Sequence, residues 1–135
     1  RDELYQDTEY YFGKDANGNL VTENPLEINM QLLKRGQERF NIYCSPCHSR
    51  VGDGQGIVVK RGFLPPPSFH QDMMREKPDG HYFDVITHGL RNMPSYRHQI
   101  PVKDRWAIVA YIRALQRSQH AGLSDIPADK RKDLK

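Results

Sequence analysis

The sequence has no run of apolar residues long enough to cross a bilayer, and it does not begin with a basic segment followed by an apolar one, as a secretory signal would. Large apolar side chains are scarce throughout, since hydrophobic residues make up 37 % of the chain and the mean hydropathy is −0.80. A chain of 135 residues predicts one domain. Its apolar content is lean for a core built from the polypeptide alone.

An excess of charge of one sign is also absent. The 20 basic and 17 acidic residues leave a formal net charge of +3, which is too small to indicate binding to nucleic acid or to an anionic surface. The glycine-rich stretch at residues 52–56 lacks the Gly-Lys-Ser/Thr ending of a phosphate-binding loop and does not follow a strand. We therefore interpret it as a tight turn.

There are only two cysteines, which excludes a disulfide framework, and they lie three residues apart as Cys44 and Cys47. His48 follows directly, and Cys-x-x-Cys-His is the attachment site of a c-type haem, with the histidine as the proximal iron ligand. The alternatives are weaker. Structural zinc needs four ligands and would have to recruit scattered histidines; a redox dithiol would need a βαβ context; a disulfide across three residues would stabilise little. A buried porphyrin would also supply the apolar mass that the composition lacks.

Hydrophobic periodicity predicts an all-α domain of three or four helices with long loops. One helix is expected from Asn29 to Tyr43 and leads directly into Cys44. A short helix is expected from Gly80 to His88, and a last one from Val102 to Arg117.

The expected organisation is an extended N-terminal arm at residues 1–28, a haem domain at 29–117 and a polar C-terminal tail at 118–135. The arm is rich in aromatic residues, namely Tyr5, Tyr10, Tyr11 and Phe12. These rings could fold back on the domain or dock on a partner subunit, because exposed aromatic clusters favour interfaces.

Met93 is the candidate for the second axial ligand, since Pro94 braces its loop and a thioether matches ferrous iron. A His/Met pair predicts a high reduction potential. Met93 could instead be a core residue that fills a gap. The competing ligands are Met30, Met73, Met74, His88 and His98.

Other candidate haem contacts depend on simple polar chemistry. A carbonyl of the run at residues 65–67, with Pro66 as the candidate, could accept the second ring N–H of His48. Arg61, Tyr96 and Trp106 could donate to the haem propionates. Each of these three also has a structural alternative: Arg61 as a solvated cation, Tyr96 as a cap on the methionine loop, Trp106 as core.

Together these residues resemble the class I cytochrome c family over about residues 30–117. The resemblance is carried by Gly36, Phe40, the Cys44–Cys47–His48 motif, Met93-Pro94, Ile108 and Tyr111. It implies one covalent haem c in an all-α class I cytochrome c fold. In that family the first and last helices cross at such a glycine, with two aromatic residues packed beside it.

Three stretches, residues 21–26, 35–44 and 104–112, are similar to the monohaem cytochrome c subunit of bacterial alternative complex III. That resemblance implies a subunit of a quinol-oxidising respiratory or photosynthetic membrane complex. Such a subunit receives electrons from a multihaem cytochrome and passes them towards a terminal oxidase or soluble acceptor, without substrate chemistry of its own.

Covalent haem attachment implies a place on the periplasmic side of the cytoplasmic membrane. The chain begins at Arg1 rather than with methionine, as expected of a processed form. Membrane contact is expected through the complex or through a lipid anchor outside this chain. Two rival functions stay open: a gas-binding or catalytic haem protein with an open sixth position, and a freely diffusing periplasmic shuttle, for which a one-sided ring of charge would be expected.

Overall fold

The computed structural model describes the backbone of residues 3–120 and the side chains of residues 7–120. This part of the chain contains seven helices: α1 Glu3–Phe12, α2 Met30–Tyr43, α3 Ser45–His48, α4 Ile57–Lys60, α5 Asp72–Arg75, α6 Asp79–His88 and α7 Val102–Gln119. No β-strand occurs among the described residues, where only two isolated bridges form, Lys14 with Leu20 and Leu90 with Met93. The predicted all-α class is confirmed.

The three helices predicted from periodicity are present, and their ends have local causes. Asn29 caps α2, because its side chain accepts a hydrogen bond from the Leu32 N–H at 2.8 Å. Gly89 ends α6 with φ +78°, a conformation that favours glycine. None of the helices between residues 3 and 120 is long and apolar enough to span a bilayer.

Helices α2 and α7 form the central pair of the fold, and they cross at Gly36. A Cβ atom at this position would lie 2.7 Å from the carbonyl carbon of Ala107 and 3.0 Å from Tyr111 Cβ. Beside the crossing, the rings of Phe40 and Tyr111 meet edge to face with centroids 5.3 Å apart. The close crossing that the resemblance implies is therefore confirmed.

Helix α7 is buried on more than one face. Trp106 is fully buried and stacks on Phe83 of α6, with ring centroids 4.2 Å apart and planes 17° from parallel. Ile108 and Val109 are also fully buried. The helix is covered on several sides because α2, α6 and the N-terminal segment all pack against it.

The N-terminal segment differs from the predicted extended arm, since Glu3–Phe12 is helical and the segment packs on its own domain. The indole N–H of Trp106 donates to the Tyr10 carbonyl at 2.7 Å, and the Asn24 side-chain amide donates to the Trp106 carbonyl at 2.8 Å. Asp79 accepts from the Asn24 backbone N–H at 2.8 Å. These contacts come from residues far away in sequence, so periodicity within residues 1–28 could not indicate them.

The C-terminal boundary also shifts. Helix α7 continues to Gln119, two residues into the predicted tail at 118–135. The remainder of that tail, from residue 121, and the side chain of Tyr5 lie outside the described residues.

Candidate haem site

The two cysteines lie on a rigid turn between α2 and α3. The Cys44 N–H donates to the Phe40 carbonyl at 2.8 Å, and the Cys44 carbonyl accepts from the His48 N–H at 2.9 Å, so Cys44 ends one helix and begins the next. The thiol of Cys44 is buried, whereas Cys47 is exposed. Burial raises the pKa of the Cys44 thiol to about 12, with a smaller contribution from Cys47. Both thiols are free and remain available for thioether formation, and the Cys44 thiol is protonated at neutral pH.

The glycine-rich stretch folds over the backbone of this turn, as a tight turn rather than a phosphate loop. The Gly54 N–H donates to the His48 carbonyl and the Gly56 N–H to the Cys47 carbonyl, both at 3.0 Å. A Cβ atom on Gly56 would lie 2.7 Å from the carbonyl carbon of Cys47. Glycine is therefore required for the loop to lie this close to the attachment motif.

The His48 ring is held flat against an aromatic ring that the sequence did not single out. Its imidazole stacks on Phe69 with centroids 4.7 Å apart and planes 16° from parallel. Burial lowers the pKa of His48 to about 4, so the imidazole is neutral at physiological pH, which is the form that binds a metal. Its Nδ1 atom is buried and has no hydrogen-bond partner.

The bond predicted from His48 to Pro66 is not formed in this structure. The Pro66 carbonyl instead lies against Gly54, where it would overlap any Cβ atom. Both groups are close to the His48 backbone, because Gly54 also donates to the His48 carbonyl. The half-buried Pro66 is thus near the predicted position, with its oxygen directed at the glycine loop.

Met93 lies at the tip of a tight loop after α6. Leu90 and Met93 exchange two backbone hydrogen bonds, at 3.0 Å and 2.9 Å, and Arg91 between them has φ +52°. Gly89 begins the loop, and a Cβ atom there would lie 2.6 Å from the Met93 carbonyl oxygen. Backbone hydrogen bonds and the close approach of Gly89 therefore fix the position of the Met93 backbone, independently of the contacts of its side chain.

Packing brings this loop to the attachment turn. Met93 and Tyr96 are partly buried against the core cluster that contains Cys44 and Phe69. The Tyr96 ring meets Tyr43 edge to face, with centroids 6.1 Å apart. Burial first, and then the nearby Cys44 and Cys47 thiols, raise the pKa of Tyr96. Met93 and Cys44, nearly 50 positions apart in the sequence, thus lie at the same core cluster.

Four of the five competing axial ligands, all but Met74, are placed less favourably than Met93. Met30 and Met73 are 65 % and 61 % exposed, and Met30 begins α2 at the end opposite Cys44, about 20 Å away along the helix. Met74 is partly buried against the core, and its carbonyl accepts from Tyr82. The His88 ring is paired with Asp84 at 3.0 Å and His98 is exposed.

The three expected propionate donors separate into two kinds. Arg61 is exposed and Tyr96 half-buried, so both remain able to meet a carboxylate. Trp106 does not, since it is fully buried and its indole N–H already donates to the Tyr10 carbonyl. Its structural alternative, a core residue, is the role the structure gives it.

These residues fit a covalently bound haem. A pair of free thiols precedes a neutral, half-buried histidine, and the segment that follows exposes large apolar side chains, namely Val51, Ile57, Phe63 and Leu64. Apolar surface of this kind suits contact with a porphyrin. When bound, the haem supplies an iron that alternates between ferric and ferrous. Among residues 7–120 no group of three His, Cys, Asp or Glu side chains could hold a metal, so the zinc alternative gains no support there.

Residues 31–112, more than half of the chain, match the family described as cytochrome c oxidase, cbb3-type, subunit III. No curated protein matches the sequence.

Solved structures of c-type cytochromes share the fold at low identity. Cytochrome cL from Methylophaga aminisulfidivorans is 17 % identical, with a TM-score of 0.56 over 100 % of this chain and 80 % of that chain. The KustC0563 c-type cytochrome is 17 % identical, with a TM-score of 0.52 over 60 % of this chain and 96 % of that chain.

A chain of the Kuenenia stuttgartiensis reducing HAO-like protein complex Kustc0457/Kustc0458 is 18 % identical, with a TM-score of 0.59. The match covers 80 % of this chain but only 54 % of that chain, about half its length. At these identities the likeness concerns the fold. Together with the family match and the Cys44–Cys47–His48 geometry, it leads to one conclusion: the chain belongs to the cytochrome c family of cbb3-type oxidase subunit III and is a monohaem c-type cytochrome that acts in electron transfer.

Proposed function

We propose that this cytochrome is the monohaem subunit of a quinol-oxidising membrane complex of the alternative complex III type. It receives electrons from a multihaem subunit and passes them towards a terminal oxidase or a soluble acceptor, on the periplasmic side of the membrane. The iron is held by His48 and Met93, and no substrate bond is made at it. Arg61 and Tyr96 are the propionate donors in this proposal.

The observation that carries the proposal is the way the N-terminal segment is fixed to the domain. Residues 21–26, one of the stretches similar to the alternative complex III subunit, hold it there. The Val21 N–H donates to the Gly13 carbonyl and its carbonyl accepts from the Gly80 N–H, both at 2.9 Å. The N-terminal segment is therefore an integral part of the folded domain.

While Tyr10 packs on the core, its neighbours stay exposed. Tyr11 and Phe12 are 52 % and 64 % exposed and line a groove of about 290 Å³ together with Arg97 and His98. Aromatic side chains beside arginine are the composition found at the centre of protein interfaces. This groove, defined by Tyr11, Phe12, Arg97 and His98, is the surface we assign to a partner subunit.

The comparisons support a partner in general terms. The matched family takes its name from a subunit of an oxidase, and one structural neighbour is a chain of a multi-subunit complex. The proposed ligation by Met93 fits this direction of electron flow, because a His/Met pair raises the reduction potential of the haem and suits a late step in an electron-transfer chain.

Native membranes, solubilised gently and separated on a native gel, test the proposal. Haem staining and mass spectrometry would locate the chain. Migration in a large multihaem band that oxidises quinol is the expected result. Recovery only as a small soluble haemoprotein would overturn the subunit assignment and leave the freely diffusing shuttle, while rapid binding of carbon monoxide by the reduced protein would point to an open sixth position.

A further inference from the structure

Arg105, on the first turns of α7, is a buried cation that the sequence analysis did not select. The residue is 7 % exposed, and its guanidinium lies over the Phe83 ring with 5.7 Å to the centroid. None of the ion pairs formed among residues 7–120 includes it. Burial, and then the charge of Arg97, lower the pKa of Arg105. A buried charge without a carboxylate is costly unless its donors are satisfied.

The acceptors that satisfy it come from the last turn of α6 and from the loop that follows this helix. Nε donates to the Ile100 carbonyl at 2.8 Å, Nη2 to the Arg97 carbonyl at 2.9 Å and Nη1 to Thr87 Oγ1 at 3.4 Å. Residues 89–100 form the loop that carries Met93, and Thr87 lies in the last turn of α6, just before it. The guanidinium therefore ties the last turn of α6, at Thr87, to the end of the loop, at Arg97 and Ile100.

Further hydrogen bonds make the loop a closed unit. Ser95 Oγ donates to the Thr87 carbonyl, and the Tyr96 N–H donates to the Ile86 carbonyl at 2.9 Å. The Ile100 N–H donates to the Tyr96 carbonyl at 2.9 Å. None of these bonds connects the loop to α7. Between residues 7 and 120, the side-chain hydrogen bonds that join the loop to α7 are those that Arg105 donates.

We propose that Arg105 is the positioning residue for Met93: its planar guanidinium orients the end of the loop at residues 89–100 relative to the last turn of α6, so that the thioether is held at the iron. This rests on the proposed His48/Met93 ligation. A lysine could supply the charge but not the fixed directions of three donors, so it would replace Arg105 poorly. The proposal concerns geometry, and a residue that only stabilised the fold would not affect ligation selectively.

Arg113 offers a matched control, because it lies on the same helix and makes a similar set of bonds to a different segment. Its Nε donates to Asp79 Oδ1 at 2.6 Å, and its Nη1 donates to the Arg75 carbonyl at 3.2 Å and to Gln116 Oε1 at 2.9 Å. Nη2 donates to the Lys77 carbonyl. Its hydrogen-bond partners outside α7 thus lie between residues 75 and 79, away from the methionine loop.

The experiment compares four holoproteins: wild type, Arg105→Gln, Arg105→Lys and Arg113→Gln. Three quantities are measured on each: the charge-transfer absorption of ferric iron bound to methionine sulfur, carbon monoxide binding by the ferrous form, and hydrogen exchange of backbone amides. For Arg105→Gln we expect loss of the absorption, gain of carbon monoxide binding, and exchange in residues 89–100 faster by about tenfold or more, with α2 unchanged. Arg105→Lys should lie between wild type and Arg105→Gln.

For Arg113→Gln we expect faster exchange around residues 75–79 and unchanged methionine ligation. Unchanged absorption and loop exchange in Arg105→Gln would overturn the inference, and so would equal loss of ligation in Arg113→Gln. If Arg105→Gln does not fold, Arg105→Lys decides by the same readouts. Absence of the methionine absorption from the wild type would instead show that the proposed ligation itself fails.

Discussion

The carbonyl carbon of Ala107 lies 2.7 Å from the position that a Cβ atom on Gly36 would occupy, so α2 and α7 are in backbone contact at their crossing. This contact sets the direction in which α2 delivers Cys44 to the haem site. Two helix backbones can approach so closely only where no side chain intervenes.

Gly36→Ala is therefore expected to lower the free energy of unfolding by about 1–3 kcal/mol, because the added methyl group must push the helices apart. A loss of stability would be informative, because replacing glycine by alanine inside a helix normally stabilises it by about 1 kcal/mol. Denaturant unfolding of the holoprotein measures it. Lys34→Ala, on the exposed face of the same helix, is the control and should change stability by less than about 0.5 kcal/mol. A stabilised Gly36→Ala protein would contradict the crossing.

Met93→Ala is expected to open the sixth coordination position. The reduced variant should bind carbon monoxide, and its reduction potential should fall by on the order of 100 mV or more, since axial ligands tune haem potentials over about 0.8 V. Potentiometric titration and gas binding measure the two effects. Met30→Ala and Met73→Ala are the controls, as both side chains are largely exposed, and both should leave spectrum and potential unchanged. An unchanged spectrum in Met93→Ala would show that another residue is the ligand.

Tyr82 makes stability sensitive to alkaline pH. Burial raises the pKa of Tyr82 above its usual value of 10.0, against smaller opposing effects of the Gln116 hydrogen bond and the Arg113 charge. In the unfolded chain the phenol titrates near its usual pKa, so its stabilising contribution is complete below pH 10 and is lost as the pH rises through the higher folded value. Unfolding measured between pH 9 and 11 should show this decline.

Tyr82→Phe removes the titrating group and should flatten that decline. The variant also loses the bonds of the hydroxyl to the Met74 carbonyl and to Gln116, so it should be less stable than wild type at neutral pH. The two proteins are therefore compared by the slope of the free energy of unfolding against pH. Equal slopes above pH 10 would show that Tyr82 does not cause the loss of stability at alkaline pH.

Replacing Tyr11 and Phe12 together by serine should weaken assembly without destabilising the domain. Both rings are largely exposed, so unfolding should be nearly unchanged, while the share of the cytochrome found in the large complex should fall. Haem-stained native gels measure that share. Ile28→Ser removes an equally exposed apolar residue outside the groove and should leave assembly intact. Equal loss of assembly in both variants would argue against the groove.

The prediction of the three main helices from sequence succeeded because their determinants are local. Asn29 caps α2 within its own first turn, and Gly89 ends α6 through its own φ. The N-terminal helix was missed for the opposite reason. It is held by contacts such as that of Tyr10 with Trp106, 96 residues away, and no local pattern reports a partner at that distance.

At the haem site, too, the sequence predicts the local attachment motif but not the contacts between residues far apart in the chain. Phe69, which stacks on His48, lies in a proline-rich loop without periodicity. Arg105 looks like a solvated cation within a helical pattern, although the structure buries it against carbonyls of residues 97 and 100. Trp106 is by sequence either a propionate donor or a core residue, and its N–H is used within the core.

The sequence by itself determined the chemistry, because haem attachment depends on three residues within five positions, Cys44 to His48. It also determined the helix pair, because Gly36 and the apolar spacing of α2 and α7 are written along each helix. Only the tertiary structure decided what surrounds that chemistry: the ring that orients His48, the arginine that fastens the Met93 loop, and the face on which Tyr11 and Phe12 remain exposed. Those relationships join residues far apart in the chain, and packing, not local preference, brings them together.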